Sequence, residues 1–146
     1  MRKTEASIRI HRPPAQIFDA FVNPQLLSGW WGVDRCLVEK RQGGVYSLAW
    51  DVNENGFRYV STGLITVYLP PSELLVDHLV YFNPEKQILG PTFLHLRITD
   101  EGKISTLQLV QGNYQEGADW DWFYSAVAEA WPKALDSLRN FLEGNS

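Results

Sequence analysis

From Asp119 to Leu142 the chain reads DWDWFYSAVAEAWPKALDSLRNFL, and this segment limits the folds open to everything before it. Apolar side chains recur at Trp120, Phe123, Tyr124, Val127, Trp131, Ala134, Leu135, Leu138, Phe141 and Leu142. Steps of three and four put them on one face of a long helix, and that face needs a partner. From about residue 33 onward the preceding chain reads as strand. One long helix after one antiparallel sheet implies a helix lying along a curved sheet, an arrangement that can enclose a cavity. Pro132 divides the segment: it removes the bond to the carbonyl of Ala128 and crowds that turn. The pattern therefore predicts a bend near Val127 to Trp131, or a restart at Pro132. Leu135, Leu138, Phe141 and Leu142 would anchor the helix to the sheet, while Trp120, Phe123, Val127 and Trp131 would roof the space beyond.

The earlier elements are separated by turn chemistry. Ala6 to His11 alternates and predicts a first strand, stopped by Arg12-Pro13-Pro14. Proline suits a first helical turn, so Pro14 to Val22 is a short helix burying Ile17, Phe18, Phe21 and Val22. Asn23 is the expected N-cap of a second, running to about Trp30 and burying Leu26, Leu27 and Trp30. Six strands follow: Arg35 to Lys40, Val45 to Val52, Phe57 to Leu69, Glu73 to Phe82, Thr92 to Thr99 and Lys103 to Gln111. Asn55-Gly56 is a hairpin signal, Gly63 marks a bend or bulge inside its strand, and Asn83 to Pro91 reads as a loop. Short turns between consecutive strands predict an antiparallel meander with one apolar face.

A chain of 146 residues fits one domain, spanning 1–146. The formal net charge is -4 and the charges are interspersed, so the basic stripe that nucleic-acid binding requires is missing. No stretch has the apolar length of a membrane span, and the N-terminal MRKTEASIRIH lacks the apolar run of a signal peptide. The single cysteine, Cys36, forbids an internal disulfide. These features set the expected location in the cytoplasm.

Four places carry a family resemblance: the opening IHRPPAQIFDAFVNPQLLSGWWG; the Gly43-Gly44 turn followed by Tyr46; Gly63 leading to Pro70-Pro71 and ELLVDH; and the closing AWPKALDSLRNFLE. In order and spacing the chain resembles the START-like (SRPBCC) superfamily, and within it the family named after the activator of Hsp90 ATPase (AHSA1-like). The resemblance implies an α+β helix-grip fold of the START/Bet v 1-like kind, β-α-α-β6-α, with a curved antiparallel sheet wrapped around a long C-terminal helix. It also implies a hydrophobic cavity for a small molecule, without a cofactor. Three positions depart from the family pattern: Ala130 replaces a usual glycine, His78 a frequent tryptophan and Gln111 a frequent histidine.

Alternation along the strands and the period of the helix predict the ligand-facing set. From the sheet come Tyr46, Trp50, Tyr59, His78, Val80, Leu96, Leu109 and Gln111, beside Leu48, Ile65, Val76, Leu94 and Leu107. From the helices come Trp30, Trp120, Phe123, Val127 and Trp131. Pockets are mostly apolar with a few placed polar groups, and Tyr46, His78 and Gln111 are the candidates for those. A tightly packed core of the same residues is the competing expectation. No metal site is expected: His11, His78 and His95 are far apart, with no CxxC or HExxH. Asp119 and Asp121 suit the positive end of the helix as caps, and Cys36 reads as a structural cysteine. Three function classes follow: a binder of a hydrophobic or aromatic small molecule, a co-chaperone-like protein-interaction module, and a cyclase- or hydrolase-like enzyme using His78 with Tyr46.

Overall fold

The structure is a computed structural model that describes residues 2–144. Its elements are β1 (Arg2–Ile10), α1 (Pro14–Val22), α2 (Pro24–Trp31), β2 (Arg35–Val38), β3 (Val45–Trp50), β4 (Tyr59–Leu69), β5 (Glu73–Phe82), β6 (Leu89–Asp100), β7 (Ser105–Tyr114) and α3 (Ala118–Glu143). The strands form one curved antiparallel sheet in the order β1-β7-β6-β5-β4-β3-β2. Six consecutive strands meander and β1 closes against β7, with Ile8 opposite Leu107. The α+β helix-grip architecture is the one the sequence predicts.

The short helices follow their punctuation. Pro14 opens α1, which buries Ile17, Phe18, Ala20, Phe21 and Val22. Asn23 ends one helix and starts the next: its N–H donates to Asp19 O, while its Oδ1 accepts from Gln25 N–H. Gly32, with φ +69°, ends α2 in the left-handed region that favours glycine. The main core lies where α1 and the second half of α3 meet the sheet, and holds Ile10, Ile17, Phe21, Leu74, Leu96, Leu107, Leu109, Leu135 and Leu138.

Several boundaries differ from the sequence reading. β1 begins at Arg2 rather than Ala6, because Arg2 to Glu5 pair with the far end of β7. β7 in turn runs on to Tyr114, past Gln111. β6 starts at Leu89, inside the stretch read as a loop, since Leu89 pairs with Tyr81. β2 stops at Val38 and β3 at Trp50, while β4 starts at Tyr59.

One irregularity determines what the concave face presents. Thr62 pairs with Val80, yet Leu64 pairs with Asp77, so β5 holds one residue more than β4 at this point. The same surplus appears against β6, where Leu94 pairs with Val76 but Thr92 with Leu79. The extra residue is a β-bulge, and His78 takes it up at φ +50°. Beyond it the alternation changes phase, because a one-residue shift exchanges the two faces of a strand. Leu74 and Val76 are buried before the bulge and Leu79 after it, while His78 is exposed. Gly63 faces this bulge, and a Cβ there would lie 2.7 Å from Asp77 O. A glycine is the residue that permits this approach.

α3 is continuous through Pro132 and does not restart. Leu135 and Leu138 are fully buried anchors. Phe141, expected beside them, is 39% exposed. Its ring lies across Gly29 of α2, where an added Cβ would sit 2.5 Å from Cε1. Phe141 thus packs on a helix at the rim instead of on the sheet.

Candidate functional site

The concave face of the sheet and the underside of α3 enclose a recess of about 260 Å³. β3 contributes Tyr46, Leu48 and Trp50, and β4 contributes Tyr59 and Ser61. Leu79 and Tyr81 come from β5, Leu94 from β6 and Gln111 from β7. Trp31 closes one side from α2, and α3 covers the top with Phe123, Val127, Ala130, Trp131 and Ala134. That last set is the helical period at work, since positions 123, 127, 130, 131 and 134 share one face.

Two aromatic groups form opposite ends. At one, Trp31 lies 5.3 Å from Trp50 and 5.2 Å from Trp131 between ring centroids. At the other, Tyr81 stacks on Phe123 at 4.9 Å and lies nearly parallel to Tyr59 at 6.4 Å. Two of the three indole donors at the first end are already satisfied. Trp50 Nε1 donates to Trp31 O at 3.1 Å, and Trp131 Nε1 to Gln111 Oε1 at 3.0 Å. The rings are therefore anchored through their polar edges, as buried indoles require.

Polar groups are few. Tyr46 Oη donates to Phe21 O at 2.6 Å, and burial pushes its phenol far above the ordinary range. It is a strut between β3 and α1, uncharged at any ordinary pH. Gln111 is 7% exposed; its Oε1 accepts from Trp131, and its Nε2 has a long 3.5 Å contact to Thr92 Oγ1. Thr92 Oγ1 in turn donates to Leu79 O at 3.1 Å. At that length the Gln111 Nε2 is weakly used. Burial raises Tyr81, with a side-chain hydrogen bond from Asn83 acting the other way.

Of the residues expected to face a ligand, the structure brings Tyr46, Trp50, Tyr59, Gln111, Phe123, Val127 and Trp131 to the recess. His78 and Val80 are corrected to other surroundings, because the bulge turns them away and puts Leu79 and Tyr81 in their place. Leu96 and Leu109 are core residues beyond the floor. Trp30 lies behind Trp31, stacked on it at 4.9 Å with its Nε1 donating to Ala20 O at 2.8 Å. Trp120 belongs to a separate buried cluster with Leu89, Tyr114 and Phe123. The acid–base pair of His78 with Tyr46 is not assembled: one side chain is exposed and the other is spent on a backbone carbonyl.

Trp31, Ser61, Leu79, Tyr81, Ala130 and Ala134 were missed. Strand alternation from Tyr59 could have found Ser61, and the steps from Val127 could have found Ala130 and Ala134. Leu79 and Tyr81 carried no such signal, because a bulge in one strand is set by its partners. Asp119 and Asp121 lie in the first turn of α3, at its positive end as expected, but they do not cap it, since the N-cap is Gly117. Asp119 Oδ2 instead accepts from Gln87 N–H at 3.1 Å, and Asp121 pairs with Arg2 at 2.9 Å. Cys36 is half-buried, and burial pushes its thiol up. Among the described residues, no cluster of His, Cys, Asp or Glu is arranged to hold a metal ion, and no helix is long and apolar enough to cross a membrane.

The sequence model of the family described as activator of Hsp90 ATPase homolog 1-like protein matches residues 11–143. The chain belongs to this family. Solved structures of similar fold include the Aha1 dimer from Colwellia psychrerythraea, with TM-score 0.73 and 16% identity, covering 96% of this chain and 95% of that one. The AHSA1 protein from Silicibacter pomeroyi has TM-score 0.74 and 18% identity, covering 99% and 100%. DynU16, a putative protein in the dynemicin biosynthetic locus, has TM-score 0.72 and 12% identity, covering 99% of this chain and 48% of that one. No curated protein matches the chain. At these identities the likeness extends to the fold, and the recess is argued on its own residues.

Proposed function

We propose that this AHSA1-like protein binds a flat, hydrophobic or aromatic small molecule in the recess between the sheet and α3. One observation carries the reading: Trp50 and Trp131 at one end are held by hydrogen bonds through their ring edges and the Tyr81–Phe123 stack at the other by packing, so these rings offer apolar faces to the interior. Such preorganised walls lose little entropy on binding. A volume of about 260 Å³ lies near the small end of ligand pockets, which run from roughly 300 to 1,000 Å³. It suits a fused-ring compound better than a long chain. Gln111 would orient the ligand by accepting or donating one hydrogen bond. The biosynthetic setting of DynU16 agrees with small-molecule binding on this fold.

Native mass spectrometry of the gently purified protein, offered a panel of fused-ring and aliphatic compounds, tests this. Retention of fused-ring compounds with one-to-one stoichiometry is expected. No retained compound at any protein excess would overturn the reading. The family description favours a second reading, a protein-interaction module acting on a chaperone. Its measurement is the ATPase rate of Hsp90 with this protein in excess, and an unchanged rate removes it.

A further inference from the structure

The recess has a neighbour. A second depression of about 490 Å³ shares Tyr59, Tyr81, Phe123, Val127 and Ala130 in its lining, so the two spaces adjoin along these five side chains. The outer space adds Trp122 of α3 together with Asn83, Glu85 and Lys86 from the loop between β5 and β6. Its chemistry differs from that of the interior. The Lys86 ammonium lies 4.6 Å from the centre of the Trp122 ring. Lys86 forms a long ion pair with Asp119 Oδ1 at 3.8 Å, beyond hydrogen-bond distance, and the other oxygen of Asp119 is taken by Gln87 N–H. The Arg2–Asp121 pair on the same helix closes to 2.9 Å by comparison. The Lys86 side chain is only 27% exposed, so its charge is less screened than that of a free surface lysine. A second cation, Arg58, is exposed and lines neither space, but its guanidinium sits 5.6 Å from the centre of the Tyr59 ring that borders both. Glu85 also borders the opening, but it is exposed and free to turn to solvent.

An apolar slot that opens onto a half-buried ammonium with unused donors selects for a molecule with two ends. We infer that the ligand is an amphipathic aromatic acid, with its ring system in the recess and its anionic group at Lys86. This rests on the recess being a binding site and adds the charge and the orientation of what it holds. The anion forms a charge-assisted hydrogen bond with Lys86, and the Trp122 face holds the ammonium in place. A carboxylate, sulfonate or phosphate diester would serve, the shared feature being a monoanion at the end of a flat apolar body.

Two probes separate this inference from the reading beneath it. 8-Anilino-1-naphthalenesulfonate and N-phenyl-1-naphthylamine share one ring framework and differ in the sulfonate. Fluorescence titration of the full chain should show both binding and competing with each other, the sulfonate more tightly at low salt. Lys86→Gln should weaken the sulfonate probe about tenfold and leave the neutral probe within about twofold. Lys86→Glu should weaken it further, and Arg58→Gln should have a smaller effect in the same direction. If the neutral probe binds but Lys86→Gln alters both probes alike, or neither, the inference fails while the recess stands as a site. The same holds if the neutral probe does not displace the sulfonate. If neither probe binds, the recess reading itself falls and this inference with it.

Discussion

Trp131 Nε1 donates to Gln111 Oε1 at 3.0 Å, tying the roof of the recess to its floor. The bond runs from the middle of α3 to the last strand, and both partners are nearly buried. It fixes the indole plane at one end of the recess and turns the Gln111 amide so that its Nε2 faces Thr92. A shape built from aromatic rings is useful only if the rings stay where they are, and this bond is one means of holding them.

Trp131→Phe leaves Gln111 Oε1 buried without a donor and should cost about 1–3 kcal/mol from the hydrogen bond, more with the lost packing. Urea unfolding measures it. The double variant Trp131→Phe with Gln111→Met should recover part of the loss, because no polar atom is then stranded. Purely additive costs would show that the bond does not couple the two residues.

The β5 bulge makes a paired prediction. His78→Gly should be neutral or stabilising by up to about 1 kcal/mol, since glycine adopts positive φ without the clash that a Cβ brings. His78→Val should be destabilising, and neither change should alter probe binding. Gly63→Ala should cost about 1–3 kcal/mol, because its Cβ would press on Asp77 O. If His78→Gly abolished binding, the orientation assigned to β5 would be wrong.

Tyr46 supplies a pH test. Burial disfavours its phenolate, so its ionisation in the fold lies above that of the unfolded chain. Such a group contributes stability that is complete below the unfolded value near pH ~10 and is lost as pH rises beyond it. Tyr46→Phe should therefore cost about 1–2 kcal/mol at neutral pH through the lost bond to Phe21 O. It should also flatten the alkaline decline by up to about 1.4 kcal/mol per pH unit. Tyr114, also raised by burial, keeps part of the slope. An identical alkaline profile in the variant would contradict the burial of Tyr46.

Ala130 faces both the recess and its outer opening. Ala130→Trp should crowd the boundary that the two spaces share, weakening the neutral probe by about tenfold or more with little change in thermal stability, because the position is exposed on the helix. Unchanged affinity would mean that ligands do not enter there.

Much of this fold was legible because its signals are local. Pro14 and Asn23 start their helices by their own chemistry, and Gly63 marks a backbone approach that nothing larger permits. The face of α3 was legible because one period runs through Phe123, Val127 and Trp131. What stayed hidden depends on partners distant in sequence. Nothing near His78 announces a bulge, since the surplus residue exists only relative to β4 and β6, and one bulge exchanged Leu79 and Tyr81 for His78 and Val80. Of adjacent Trp30 and Trp31 the sequence reading chose Trp30, and Trp31 meets the recess instead, because which ring does so depends on how α2 docks. Lys86 carries no local signal of its own, since its place on Trp122 depends on how the loop lies against α3.

The most direct measurement is an isotope-filtered NOE experiment on the labelled protein with N-phenyl-1-naphthylamine. Contacts from the probe to Trp131 Hε1 and to the side chains of Phe123, Val127 and Leu79 are predicted. Contacts to His78 or His95 instead, or none to the interior rings, would contradict the account.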